Sequence, residues 1–418
     1  MVTIDDYKID PGKKIATDID IQVIYIPLEN RMGYKYKACV RAGEYVCIGS
    51  VLGENAMLEI PLMSSVSGTV VGFQEMYIAT GKKVRCVVIE NDFKEKYKDK
   101  IGKKYDITKY SKDEYIYLLK KMAICGLSGS GFPTYIKYDT NKEIKYLIVD
   151  AAECEIYASA DSARIYNNAE EILEAIDAIM EIMHIEKSYI AINEKNEKVI
   201  KKLLKHINTY PNIKIYPLIP GYPSGYERYL VKEILGLNYE RLPLEVGVIN
   251  ENVSTIYAIY EALKYHKPLI DRIVTISGPG IKKPQNYLLK VGTNFNEITM
   301  KTDIIKEINN PILVVGGAMM GKSIPSEEII VTPDVNAILL LEDKKEKKLP
   351  CIKCGKCSEV CPMNLIPNLI IDYPNKAQEL MINKCMNCGL CSYVCPSKIE
   401  VREEIKAIKE NLKWKNIK

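Results

Sequence analysis

The chain is 418 residues long, 47% hydrophobic and 27% charged, with a formal net charge of +4. These are the proportions of an ordinary globular chain of several domains, and no run of about eighteen apolar residues occurs that would form a membrane-spanning helix. Lysines alternate with acids, as in residues 98–106 and 342–348, instead of forming an aromatic-interleaved basic stripe, so nucleic acid is not an expected partner. The amino terminus lacks the apolar core of a signal peptide, which predicts a cytoplasmic chain whose thiols stay reduced.

Residues 21–92 read as short strands separated by turn signals, an all-β unit of barrel or sandwich type. Residues 40–46 (Val-Arg-Ala-Gly-Glu-Tyr-Val) and 64–70 (Ser-Ser-Val-Ser-Gly-Thr-Val) resemble the half-motifs of biotinyl and lipoyl carriers. Such carriers present a lysine at a hairpin tip. Ala56-Met57-Leu58 stands here, so a scaffold or docking surface is expected and not a swinging arm. From residue 112 the pattern becomes an alternation: helices over 113–124, 169–183, 196–207, 226–235 and 253–264, and strands at 146–151, 189–192 and 214–218. Alternation of this kind predicts an α/β domain with a largely parallel sheet. Strands at 272–278, 286–291, 312–318 and 337–342 around a helix at 302–309 suggest a small α+β unit, and 342–348 reads as a linker. Residues 401–413 carry apolar residues at helical spacing. His184, His206 and His266 have no metal-ligand spacing and read as surface or helix-end residues, while cysteines in the apolar strand segments read as small buried thiols.

Two stretches inside the α/β region carry candidate chemistry. Gly126-Leu127-Ser128-Gly129-Ser130-Gly131-Phe132-Pro133-Thr134 is a loop rich enough in glycine to bring its backbone N–H groups against a phosphate or a flat ring. It does not sit between a strand and a helix as the G-x-G-x-x-G fingerprint requires, and a plain turn is the alternative. Residues 150–156 (Asp-Ala-Ala-Glu-Cys-Glu-Ile) end an apolar strand with Glu153 and Glu155 at alternate positions, which would put both on one face at the carboxyl end of a parallel strand. Acids there suit ribose hydroxyls. A solvated strand end is the competing reading.

Eight cysteines fall into two copies of one pattern: Cys351-x-x-Cys354-x-x-Cys357-x-x-x-Cys361-Pro362 and Cys385-x-x-Cys388-x-x-Cys391-x-x-x-Cys395-Pro396. This is the spacing of a domain holding two 4Fe-4S clusters, in which the fourth ligand crosses over. Cys395 should join Cys351, Cys354 and Cys357, and Cys361 should join Cys385, Cys388 and Cys391. Zinc ribbons and a disulfide framework fit the tandem run poorly, because zinc sites use C-x-x-C pairs.

The run Gly126 to Lys137 resembles the G-L-G-G-A-G-F-P-T-x-V-K motif, and Ala-Ala-Glu-Cys-Glu at 151–155 resembles the N-G-A-E-C-E-P motif, of the C subunit of the Rnf complex, itself related to the flavin- and NADH-binding 51 kDa subunit of respiratory complex I. Tyr222-Pro223-Ser224-Gly225-Tyr226-Glu227, Asn252-Val253-Ser254-Thr255, Gly316-Gly317-Ala318-Met319-Met320-Gly321 and both cysteine motifs agree in order. The resemblance implies a multidomain α/β and β chain: an N-terminal extension (1–20), a barrel-sandwich hybrid (21–95), an FMN/NADH domain (110–268), a β-grasp domain of the soluble-ligand-binding type (270–345), a dicluster ferredoxin domain (349–400) and a terminal helix (401–418). It further implies FMN, NADH and two 4Fe-4S clusters as cofactors. Gly126, Gly129, Ser130 and Gly131 would lie against flavin and nucleotide, with Phe132 stacking on the nucleotide. Lys137 would sit near the FMN phosphate, Glu155 would hold NADH, Glu153 would lie near the flavin, Glu227 would belong to the cofactor site, and Asn252 with Thr255 would form the flavin-phosphate loop. Ser128, Ile156, Glu251 and Ser254 depart from the family pattern, and the charge of Glu251 would oppose a phosphate unless the side chain turns away.

The activity implied is electron transfer from NADH through FMN to the clusters. The chain would be the peripheral subunit of an ion-translocating complex on the cytoplasmic face of the membrane, with the other Rnf subunits and ferredoxin-like carriers as partners. A soluble paralogue feeding a reductase such as D-proline reductase, and a ferredoxin-like adaptor without flavin, are the alternatives.

Overall fold

Buried residues alternate with more exposed ones along the start of the first strand, Val23–Pro27, which pairs with Lys83–Asn91. The computed structural model describes residues 2, 7–17, 19–98, 101–344 and 346–415, with side chains as far as 412; parts of the expected extension (1–20), linker (342–348) and terminal helix (401–418) lie outside the described residues. Val23–Pro27, Lys83–Asn91, Gly68–Tyr77 and Tyr45–Val46 form one antiparallel sheet in that order, and Lys37–Ala38, Val51–Glu54 and Leu62–Met63 form a second. Gly68 lies so close to the neighbouring strand that a Cβ would stand 1.9 Å from the Glu90 carbonyl oxygen, which explains the glycine in the second carrier-like half-motif. Cys86 is buried as expected, but Cys39 is exposed because its edge strand, Lys37–Ala38, is only two residues long and ends before it.

The central sheet is fully parallel, in the order Ile213–Leu218, Lys187–Asn193, Tyr146–Ala151, Val248–Asn252. Its middle strand is apolar on both faces. Leu147, Val149 and Ala151 pack in one core with the helices Ala160–Met183 and Val253–Tyr265, while Ile148 and Ala152 pack with Leu230 and Val231 of the helix Glu227–Leu235. The first of these helices begins nine residues before the expected 169. Asn168 breaks it with φ −134° and ψ 37°, so the apolar periodicity starts afresh at Ala169 and only the second segment shows in the sequence. Chain order reverses between Tyr146–Ala151 and Val248–Asn252, and that switch point is where open α/β sheets leave a crevice.

Residues 271–342 form a mixed five-stranded sheet, Gln285–Lys290, Asp271–Ser277, Ala337–Glu342, Pro311–Val315, Lys322–Ile324, around one helix. That helix is Phe295–Thr302 and not 302–309: Asn294 caps it by accepting from Asn296 N–H, Asp303 ends it in a left-handed conformation, and Ile305 instead bridges to Ile281. The expected N-terminal barrel and this sheet share one hydrophobic core, in which Ile24, Ile26, Val70 and Ile89 lie with Val274, Ile276, Phe295 and Ile338. The cysteine-rich region closes over a smaller core of Leu365, Ile370, Ala377, Ile382, Val401 and Ile405. It is joined to the rest by the Tyr222 hydroxyl, which donates to the Cys388 carbonyl at 2.6 Å, and by Arg402, which donates to the carbonyls of Met319, Met320 and Gly321 at 2.5, 3.3 and 3.3 Å. His184 and His266 end helices in left-handed conformations, in keeping with the sequence reading.

Because the barrel and the five-stranded sheet share a core, damage to one should be felt by both. Phe295→Ala, at a fully buried position, is expected to lower stability by about 3–5 kcal/mol. Hydrogen exchange should show the Lys83–Asn91 strand losing protection together with Asp271–Ser277; loss confined to residues 271–342 would separate the two units.

Candidate functional site

The crevice at the switch point is a cavity of about 590 Å³, within the range of cofactor pockets. Gly126, Ser128, Gly129, Ser130, Phe132 and Lys137 line one side, and Asp150, Glu153, Cys154 and Glu155 another. Gly225, Tyr226, Glu227, Asn250, Glu251, Asn252, Asp161, Met320 and Met386 also line it. The glycine loop is pinned from two directions at Leu127. Its N–H donates to Thr255 Oγ1 at 3.0 Å, and its carbonyl accepts from buried Arg272 at 3.2 Å. Gly129 and Gly131 hold φ of +95° and +61°, which only glycine adopts without strain. Gly131 turns away, facing Arg31 and Asp334 in a neighbouring apolar cavity, and Thr255 stands behind the wall as the anchor of Leu127.

The two acids do not lie on one strand face. The strand stops at Ala151, Glu153 takes a left-handed φ of 42°, and the acids diverge into separate joints. Glu153 accepts from the N–H groups of Asp161 and Ser162 at 2.7 and 3.2 Å and from the Ser162 hydroxyl. It thereby caps the helix Ala160–Met183, whose own N-cap residue Ser159 spends its hydroxyl on Asn286. Glu155 accepts from the N–H groups of Met319 and Met320 at 2.9 and 2.8 Å. Burial raises the pKa of both, with these N–H bonds and the ammonium of Lys8 pulling it down again. Asp150, quoted in the sequence motif but not singled out, is pushed up to about 7 by burial, against the Ala152 N–H that it accepts.

Lys137 reaches Glu251 Oε1 at 3.2 Å and donates to the Asn250 carbonyl at 2.7 Å. Glu251, 1% exposed, is thus neutralised by the lysine expected to serve the phosphate. Asn252 caps the helix Val253–Tyr265 through Ser254 N–H, and its amide donates to Asp161, which also accepts from the Ser254 hydroxyl. A protein carboxylate therefore occupies the expected phosphate loop. Glu227 accepts from the Tyr239 hydroxyl at 2.9 Å. Asp161 and Met386 escaped sequence reasoning because nothing local marks them, and Tyr226 stands in a quoted motif without being singled out; all three reach the cavity from other elements.

Two further cavities lie in the cysteine-rich region. Cys351, Cys354, Cys357 and Cys395 line one, and Cys361, Cys385, Cys388 and Cys391 line the other, the crossed partition read from the spacing. Met386 lines both the second of these and the large cavity, so the two adjoin.

Family models match three stretches: an RnfC barrel-sandwich hybrid domain over residues 6–94, a Nuo51 FMN-binding domain over 119–261, and a 4Fe-4S dicluster domain over 350–399. The C subunit of the proton-translocating ferredoxin:NAD(+) oxidoreductase complex of Clostridium ljungdahlii is 29% identical, over 86% of this chain and 82% of that one. The chain is similar to Rnf C subunits over most of its length. The C subunit of the Na(+)-translocating ferredoxin:NAD(+) oxidoreductase complex of Acetobacterium woodii, also 29% identical, covers 85% of this chain and 82% of its own. A crystal structure of an NAD+-reducing nickel–iron hydrogenase in the H2-reduced state aligns with a TM-score of 0.51 and 13% identity, over 72% of this RnfC-like chain and 63% of that one, a likeness of fold.

The donors fit the FMN and 4Fe-4S groups that the matched domain models name. Each cysteine cavity offers four sulfurs, the first beside Lys353, Lys356 and Asp372 and the second among Met363, Leu365 and Ile405, and the large cavity offers a glycine-loop backbone and Asn250, whose buried Oδ1 has no partner among the described residues. Removing Cys361 should therefore cost the cluster of the second motif: Cys361→Ser is expected to keep about half of a full complement of roughly eight irons. Mössbauer and EPR spectra should show the remaining cluster unperturbed; loss of the first-motif signal instead would refute the crossing. Asp150 gives a pH prediction. The folded chain holds a proton up to about pH 7 that the unfolded chain releases near 3.8, so stability falls as pH rises through that window. Asp150→Asn, which keeps an acceptor for Ala152, should raise the thermal midpoint at pH 8 and leave it nearly unchanged at pH 4 in the cofactor-free chain.

Proposed function

We propose that this chain transfers electrons between a nicotinamide dinucleotide and a one-electron carrier, as the peripheral C subunit of an ion-translocating, membrane-bound ferredoxin:NAD+ oxidoreductase complex at the cytoplasmic face. The observation that carries the reading is the shared wall at Met386, where a flavin-sized cavity at the switch point adjoins a cavity lined by four cysteines. FMN supplies the conversion between two-electron hydride chemistry and single-electron transfer, and the clusters handle the single electrons. In this reading the cysteines hold iron in the crossed sets named above. Gly126, Gly129 and Ser130 shape the flavin face, with Gly131 setting the turn of the loop from behind.

The remaining residues orient the ligands. Phe132 stacks on the nucleotide, Glu155 bounds the nucleotide side, Glu153 lies near the flavin, and Glu227 belongs to the cofactor wall. Lys137 offers the cavity's ammonium, shared with Glu251, while Asn252 and Thr255 set the helix end facing the phosphate. Among the described residues no helix is long and apolar enough to cross a membrane, so attachment would run through the other subunits of the complex. Both relatives named above are C subunits of ion-translocating ferredoxin:NAD(+) oxidoreductase complexes. Ferredoxin-like carriers are the expected soluble partners.

Anaerobic reconstitution tests the reading. With iron, sulfide and FMN the chain should reduce a one-electron dye with NADH, and without FMN it should not; iron-loaded protein that binds no FMN and never turns over NADH would leave only the adaptor reading. Phe132→Ala should raise KM for NADH roughly threefold to tenfold, the worth of an aromatic stack of about 0.5–1.5 kcal/mol.

A further inference from the structure

The amino-terminal segment is stitched onto the wall of the large cavity. Val2 exchanges backbone hydrogen bonds with Tyr222 at 3.2 and 3.0 Å, and Tyr7 stacks on Tyr157 with ring centroids 5.2 Å apart. Next to Tyr7, the Lys8 ammonium donates to three backbone carbonyls of one loop, those of Glu153, Glu155 and Ala158, at 2.5, 3.1 and 2.7 Å. Three donors meet three acceptors, so the ammonium is fully satisfied. The loop that receives it holds two non-glycine residues in left-handed conformations, Glu153 at φ 42° and Tyr157 at φ 67°, which costs free energy unless the surroundings enforce it. It also carries both cavity acids and Cys154.

We infer that Lys8 is a positioning residue whose ammonium serves as a built-in monovalent cation, fixing the 153–158 loop and through it the carboxylates of the nucleotide site. Converging backbone carbonyls are the ligands that protein sites offer to compact monovalent cations in place of a hydration shell. An ammonium tethered by the chain fills such a cage permanently, and its charge stands beside two half-buried carboxylates. The assignment of a nucleotide to those carboxylates rests on the function proposed above; the cation cage itself does not.

The variant Lys8→Ala empties the cage in the full chain reconstituted with clusters and FMN. NADH-dependent dye reduction should fall roughly tenfold or more, the loss expected of a hydrogen-bonded charge, chiefly through KM for NADH. Ammonium or potassium chloride should restore it, choline chloride at equal ionic strength should not, and the wild type should respond to neither. The thermal midpoint of Lys8→Ala should also rise with ammonium or potassium and not with choline, a readout that needs no NADH and so survives a failure of the nucleotide assignment. Unchanged KM in Lys8→Ala, or a thermal midpoint equally indifferent to all three salts, overturns the inference. Should Lys8→Ala not fold in low salt, its refolding yield in ammonium against choline chloride decides in the same way.

Discussion

The hydrogen bonds from Met319 and Met320 to the Glu155 carboxylate hold the three parts of this chain in register. The N–H groups of those two methionines face the acid loop of the parallel-sheet domain, while their carbonyls accept from Arg402 at the start of the terminal helix. One short turn of the five-stranded sheet is thus gripped by a carboxylate on one side and a guanidinium on the other. Both contacts are charge-assisted, stronger than neutral bonds and directional. Gly317 belongs to the same joint: a Cβ there would stand 2.0 Å from the Glu155 carboxylate, so only glycine lets the acid reach the turn. The wall of the large cavity and the seam against the cysteine-rich region are therefore one construction. Glu155 keeps acceptor capacity beyond the two N–H groups it serves, since an ionised carboxylate has about four lone-pair sites. A joint residue and a ligand-facing residue are compatible roles for it.

What the sequence made legible follows the range of the interactions involved. The cysteine motifs are local, with six ligand-to-ligand gaps fixed by spacing alone, and even the crossing of Cys361 and Cys395 reappears in the lining of the two cavities. The parallel sheet was legible because helices and strands alternate along residues 112–265. Glu153 and Glu155 were legible as residues and misplaced as geometry. Strand alternation was extended past Ala151, where the strand had already ended, and what each acid does is decided by Ser162 and by Met319, nine and 164 residues away from their partners. The helix at Phe295–Thr302 was displaced for a related reason, since the cap that starts it is a single asparagine and the apolar residues after it serve a loop.

Glu251 shows how a departure from a family pattern is absorbed. A lone buried carboxylate beside a phosphate loop would be costly, yet Lys137 stands at 3.2 Å and the pair carries little net charge. The change at Glu251 therefore transfers to Lys137: whatever ligand enters meets an ammonium already half engaged. Asp161 repeats the theme at the next element, filling the helix end through Asn252 and Ser254. Both expected phosphate contacts are met from within the protein, so a phosphate entering here exchanges partners with carboxylates and does not fall into an empty cationic nest.

The two cysteine cavities are built to different environments, and this bears on how they divide the work. Cys388 is buried, and its motif packs with Tyr222, Met319 and Met386 against the large cavity. Cys351 and Cys354 are exposed, and Leu349 and Ile352 beside them are exposed as well. Solvent exposure and hydrogen bonding to sulfur are two of the levers that set cluster potential, so identical spacing does not make the two sites equivalent. The shielded set shares a wall with the cavity and the exposed set faces outward. An order from interior to surface is thereby written into the packing of Met386 and into the solvent exposure of Cys351 and Cys354. The tandem motif alone, being symmetric, carries no such order.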